Sequence, residues 1–222
     1  GQGHSEIFDG TRLAEQGIVL VTINYRLGAL GFLAHPWLAE ESDHSSAGNY
    51  GLLDKIAALQ WVKDNIEQFG GDAENVTIFG QSAGSQSVCS LMASPLAQGL
   101  FHKAIGQSAG SVGPAPQKDL KGFHRGEPLL NELSVNNLNL LREKTPAQIL
   151  AASQKTGWAN ESRIVIDGWV LPEPQVETFR AGRQAQIPLL LGSLADEGNH
   201  LFPVNEALTD QELEVYLTKL VG

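Results

Sequence analysis

Cysteine is nearly absent from this 222-residue chain: Cys89 stands alone, so no internal disulfide can form. A lone thiol suits a reducing compartment and a bacterial secreted enzyme equally, which leaves cytoplasmic and secreted locations both open. Positive charge is also scarce. Fifteen Lys and Arg against 25 Asp and Glu give a formal net charge of −10 at pH 7, and no Lys/Arg cluster offers a local exception. Nucleic acid is therefore excluded as a partner on electrostatic grounds. No apolar run reaches the roughly 20 residues of a membrane-spanning helix, and no signal-peptide pattern opens the chain. Cys, His and carboxylates nowhere fall at metal-ligand spacing, so no metal is expected.

What is present is enough apolar sequence, 42% of 222 residues, for one domain with a sizeable core. The stretch that organises it is Val76-Thr77-Ile78-Phe79-Gly80-Gln81-Ser82-Ala83-Gly84. Its apolar, β-branched start predicts a buried strand, and Ser85 to Met92 predicts a helix. Glycines two residues before and after Ser82 allow a sharp turn between them. A strand, a tight turn and a helix with serine at the apex form a nucleophile elbow. Serine there sits in a strained conformation. The backbone N–H of Ala83, at the helix N-terminus, faces the oxygen of a carbonyl under attack. Ser82 is the predicted nucleophile and Ala83 a predicted oxyanion donor. The same pentapeptide recurs at Gly106-Gln107-Ser108-Ala109-Gly110. There it runs into Ser111-Val112-Gly113-Pro114-Ala115-Pro116, which cannot start a helix, so no elbow is predicted at Ser108.

In chain order, Asp9 to Gly17 reads as a short helix closed by glycine, and Ile18 to Ile23 as a strand covered on both faces. Asn24 to Leu33 reads as a glycine-punctuated loop and His35 to Ser46 as an exposed polar stretch. From Asn49 to Phe69 apolar residues recur at three- and four-residue steps, a helix that Gly70-Gly71 stops. Strand, helix, strand, helix over 18–92 is the alternation of an α/β fold with a mostly parallel sheet and helices on both faces. Residues 111–165 scatter proline, charge and asparagine among short amphipathic pieces such as 129–141 and 146–152, and are expected to be a helical insertion over the sheet that shapes substrate access. A helix ends near Gly182, and Pro188 to Gly192 is a last strand. It delivers Asp196-Glu197-Gly198 at its carboxyl end, where ligand sites of open α/β sheets lie. Spacing does not choose between the two carboxylates. A final helix is predicted over 209–220.

Several of these stretches resemble the type-B carboxylesterases, the cholinesterase-like branch of the α/β-hydrolases. Asn24-Tyr25-Arg26-Leu27-Gly28 with Gly31-Phe32-Leu33 looks like that family's strand exit. Gly48-Asn49-Tyr50-Gly51-Leu52-Leu53-Asp54 with Ala58-Leu59-Gln60-Trp61-Val62 is similar to its long helix. Phe69 to Gly84 matches its nucleophile segment and Asp196-Glu197-Gly198 its acid segment. The motifs are collinear and cover most of 7–110 and 166–203. Two positions depart from the pattern. Gln81 stands where the family commonly has glutamate, and Lys55 where it usually has glutamine, a change expected to be harmless.

The resemblance implies an α/β-hydrolase fold and hydrolysis of small carboxylic esters through an acyl-enzyme on Ser82. Glu197, not Asp196, orients a histidine, Ala83 is one oxyanion donor, and no cofactor is needed. It also implies that the glycine-rich oxyanion segment lies upstream of Gly1 and the catalytic histidine downstream of Gly222. Residues 1–222 are then a partial catalytic domain with little turnover of its own. His200 follows Glu197 too closely to be the base, because base and orienter meet from separate loops. His4, His35, His44, His102 and His124 precede the acid and read as loop or surface residues. Two other readings stay open: a cholinesterase-like adhesion or binding module without activity, and a hydrolase of carbamates, lactones or thioesters using the same site. Oligomeric state is not indicated.

Overall fold

A computed structural model describes residues 3, 5–108, 121–158, 164–197, 209–212 and 214–215. Its elements, in chain order, are α1 (Thr11–Ala14), α2 (Gly28–Phe32), α3 (Pro36–Glu41), α4 (Tyr50–Asn65), β1 (Thr77–Gln81), α5 (Ala83–Ala93), β2 (Lys103–Gln107), α6 (Glu127–Glu132), α7 (Leu138–Arg142), α8 (Pro146–Thr156), α9 (Gln175–Arg180) and β3 (Leu189–Gly192). The three strands form a parallel sheet in the order β1-β2-β3. Parallel strands end on the same side, so every residue just past a strand faces one edge of the sheet.

The predicted helix 49–69 forms as α4 followed by a 3₁₀ turn at Ile66–Phe69, and stops at Gly70 with φ 80°. Leu59 of this helix packs with Val88, Leu91 and Met92 of α5 and Ala104 of β2 in a core that ties helices to sheet. A second core holds Leu33, Leu129, Leu130, Leu133, Leu141 and Trp158 together, so the 127–156 helices rest on the α2 region. Helix α8 is closed at both ends by its own sequence. Thr145 and Gln148 make a reciprocal capping box at its start, and Gly157 with φ 69° takes the left-handed position at its end.

Three stretches differ from expectation. Ile18 to Ile23 joins no ladder among the described residues, and Ile18, Val19 and Val21 are exposed. Apolar runs report which faces can be buried, whereas a strand exists only beside a bonded neighbour. The glycine-rich stretch read as a loop contains α2. A Cβ on Gly31 would sit 2.1 Å from the Arg26 carbonyl oxygen, so glycine lets the helix close onto the preceding backbone. The polar stretch 35–46 is helical over α3 and not wholly exposed: His35, Ala39 and Ser46 are buried. His35 Nδ1 accepts the Trp37 N–H at the start of α3, and burial pushes its pKa down. Of the insertion expected over 111–165, residues 111–120 and 159–163 lie outside the described residues. So do 213 and 216–220 of the final predicted helix; Thr209 and Glu212 exchange capping bonds at its start.

Candidate active site

Ser82 stands between β1 and α5, and its backbone has φ 53° and ψ −116°. Positive φ is rare for a residue with a side chain and costs about 1–3 kcal/mol unless the surroundings impose it. Two features impose it here. The Ser82 N–H donates to the Gln107 carbonyl at 2.9 Å, extending the β1–β2 ladder one residue past the strand. A Cβ on Gly80 would lie 2.5 Å from the carbonyl carbon of Gly84, so only glycine lets the chain fold back so tightly. The matching argument for Gly84 does not hold, since a Cβ there meets nothing within 4 Å. The Ser82 hydroxyl makes no capping bond to the helix it precedes and is exposed. Ala83 opens α5, so its N–H is among those that an α-helix leaves without an internal partner. The Gln86 N–H, in contrast, is bonded to the Ser82 carbonyl at 2.9 Å.

The second Gly-Gln-Ser-Ala-Gly lies beside the first. Gly80 pairs with Gly106 and Gln81 with Gln107, so the two pentapeptides run in register on adjacent strands. Ser108 then occupies on β2 the place that Ser82 has on β1, also at positive φ, 57°. Its N–H donates to the Gly192 carbonyl at 2.7 Å, repeating the bond that Ser82 makes one strand over. The residues after Ser108, from Ala109 to Leu120, lie outside the described residues. The roles of the two serines separate through their hydroxyls. Ser108 Oγ donates to Glu197 Oε1 in a short contact, across 89 residues of sequence.

Glu197 follows β3 and is partly buried, whereas its neighbour Asp196 is exposed. Ser82, Ser108 and Glu197 therefore lie past the carboxyl ends of three adjacent parallel strands. The contact with Ser108 distinguishes Glu197 from Asp196, which spacing alone does not do. Sequence reasoning missed Ser108 as a partner of the acid. The available signal was the repeated pentapeptide, whose in-register copy had to stand beside the first. His200 and Gly198 lie outside the described residues. Among the described residues no group of three or more His, Cys, Asp or Glu side chains is spaced to hold a metal, and no helix is long and apolar enough to cross a membrane.

The arrangement is suited to nucleophilic acyl chemistry: an exposed hydroxyl at a strained apex, helix N–H groups behind it, and an oriented carboxylate two strands away. Esterases are among the known proteins that the chain resembles. The sequence profile of the carboxylesterase family matches residues 1–219. The chain is 39% identical to the fumonisin B1 esterase of Sphingopyxis macrogoltabida over 100% of its own length and 41% of that protein's. It is 36% identical to the para-nitrobenzyl esterase of Bacillus subtilis, covering 100% of this chain and 46% of the other. A carboxylesterase crystal structure from Geobacillus stearothermophilus superposes with a TM-score of 0.83 at 35% identity, over 100% of this chain and 49% of that one. The chain thus spans less than half the length of each.

Proposed function

This chain belongs to the carboxylesterase family and has its α/β-hydrolase fold, and from that premise we propose that the whole protein hydrolyses small carboxylic esters through an acyl-enzyme on Ser82. A histidine from the remainder of a longer polypeptide accepts the Ser82 proton as Oγ attacks the ester carbonyl. The Ala83 N–H, with glycine N–H groups supplied from outside residues 1–222, holds the developing oxyanion. Glu197 orients the histidine and stabilises its charged form, while Ser108 donates to Glu197 and fixes the carboxylate in place. The tetrahedral intermediate collapses with proton transfer from the histidine to the departing alcohol. Water, deprotonated by the same histidine, then attacks the acyl carbon, and as the bond to Ser82 Oγ breaks the histidine returns the proton to that oxygen and the acid leaves. The cycle needs no cofactor or metal. The stretch 111–165 is proposed to shape access to this site.

The observation that carries the reading is the Ser82 backbone, at φ 53° and ψ −116°, with an exposed hydroxyl that makes no capping bond to α5. Strain without function is disfavoured, and an exposed hydroxyl at a helix N-terminus is what attack on an acyl group requires. The exposed Ser82 hydroxyl and the Ser108–Glu197 contact also weigh against a binding module that has given up catalysis. Carbamates, lactones and thioesters would use the same groups, and their relative turnover separates them from plain esters.

Fluorophosphonate labelling of the whole protein with peptide mapping tests the proposal. The expected result is one adduct, on Ser82, lost in Ser82→Ala together with turnover of a para-nitrophenyl ester. A folded protein without an adduct would favour the binding module, and an adduct on Ser108 would reverse the assignment of the two pentapeptides.

A further inference from the structure

A cavity of about 520 Å³ is lined by α2, α3 and the start of α4 together with α7 and α8. None of Ser82, Ala83, Ser108 or Glu197 lines it. Its floor is aliphatic. Leu33, Leu129 and Leu141 come from the second core, and Leu38, Leu138 and Ile149 are partly buried against that core. Trp169 forms one wall, held flat by His44 stacked on it with ring centroids 3.7 Å apart and planes 15° from parallel.

Charged groups of both signs share the lining. Arg26, Arg142 and Lys144 are its cations, with Glu41 as an opposing charge. The guanidinium of Arg26 is engaged by Asp54, and Arg142 Nη2 donates to Glu41 Oε1. Lys144 forms no ion pair among the described residues. Asp167, the other carboxylate of the lining, is turned inward to accept the Trp169 and Leu171 N–H groups at 3.2 and 2.9 Å. An aliphatic chamber whose one cation without an ion pair among the described residues is Lys144 suits an apolar tail that avoids water and an anionic head that meets that ammonium.

We propose that this cavity binds an aliphatic carboxylate, its chain on the leucine side chains and its head at Lys144. The site is separate from the acyl chemistry at Ser82 and does not depend on it. If the esterase reading also holds, such an acid is the class of product that ester cleavage releases.

Decanoate is the probe, titrated calorimetrically into the whole protein with decanol as the uncharged control. Saturable decanoate binding is expected, weakened about tenfold by Lys144→Glu while decanol is unaffected. Ile149→Trp, which fills the chamber, removes both, and fluorophosphonate labelling of Ser82 keeps its rate at saturating decanoate. Lys144 is half-buried and forms no ion pair among the described residues, so its variant remains decisive if the tryptophan variant fails to fold. Absence of saturable binding overturns the proposal. So does binding that ignores both substitutions, or decanoate that blocks Ser82 labelling.

Discussion

Replacing Lys55 by methionine is expected to stabilise the protein at neutral pH and to lose that advantage as the pH rises. Lys55 is buried on α4, at 5% exposure, with its ammonium 3.4 Å from the centroid of the Tyr25 ring and 5.8 Å from that of Phe32. The neighbouring Asp54 offers only partial compensation, because its carboxylate accepts the Arg26 backbone N–H at 2.9 Å and the Arg26 guanidinium at 2.7 Å. Burial pushes the Lys55 pKa from 10.5 down to about 8, against the smaller upward pull of Asp54. That displacement weighs about 3 kcal/mol against the charged form in the fold. The Tyr25 ring face returns about 1–2 kcal/mol of attraction to a desolvated cation. The balance is a cost of about 1–2 kcal/mol at pH 7, which an unbranched apolar side chain of similar length removes.

The sign follows from proton binding. Below about pH 8 the lysine is protonated folded and unfolded, so the cost is fully present. Between about 8 and 10.5 the unfolded chain holds the proton and the folded one releases it, so wild-type stability rises with pH. Paired urea melts of wild type and Lys55→Met across this range are the assay. The variant should lead by about 1–2 kcal/mol at pH 7, and the lead should shrink steadily as the pH rises from about 8 towards 10.5. A pH-independent gap, or a destabilised variant at pH 7, would refute the reasoning, because the aromatic rings would then outweigh the loss of water.

Gly80→Ala should destabilise the fold by about 1–3 kcal/mol, since its Cβ would meet the Gly84 carbonyl carbon at 2.5 Å; Ser82 labelling should slow with it, and thermal melts with labelling rates check both. Ser108→Ala removes the donor to Glu197 and should lower kcat about tenfold with KM changed less than about twofold, while Ser108→Thr restores much of the rate. Gln81→Glu places a carboxylate beside Ser82. It should raise the pKa governing the acid limb of kcat/KM by about one unit and favour cationic over neutral esters; pH–rate profiles that coincide with wild type would count against a charge effect at this position.

The elbow was legible because everything that makes it is local: strand residues, glycine at 80, the serine and helix formers lie within 17 consecutive positions, 76–92. What the sequence hid is set by partners distant along the chain. Ile18 to Ile23 has a strand's composition, but only a bonded neighbour makes a ladder, and composition carries no information about one. Lys55 read as a harmless exchange for glutamine; its burial, the Tyr25 ring beneath its ammonium and the engagement of Asp54 by Arg26 are not visible in local sequence. Ser108 makes the same point at the site. Its pentapeptide is identical to that of Ser82, so local sequence assigns both the same turn, and both serines do adopt positive φ. They differ in what stands past the next strand. Ser108, just past the central strand, has β3 beside it and reaches Glu197, whereas Ser82, just past β1, has an exposed hydroxyl with no bond to the helix it precedes. Position in the sheet, not the motif, divides a proposed nucleophile from the residue that holds the acid.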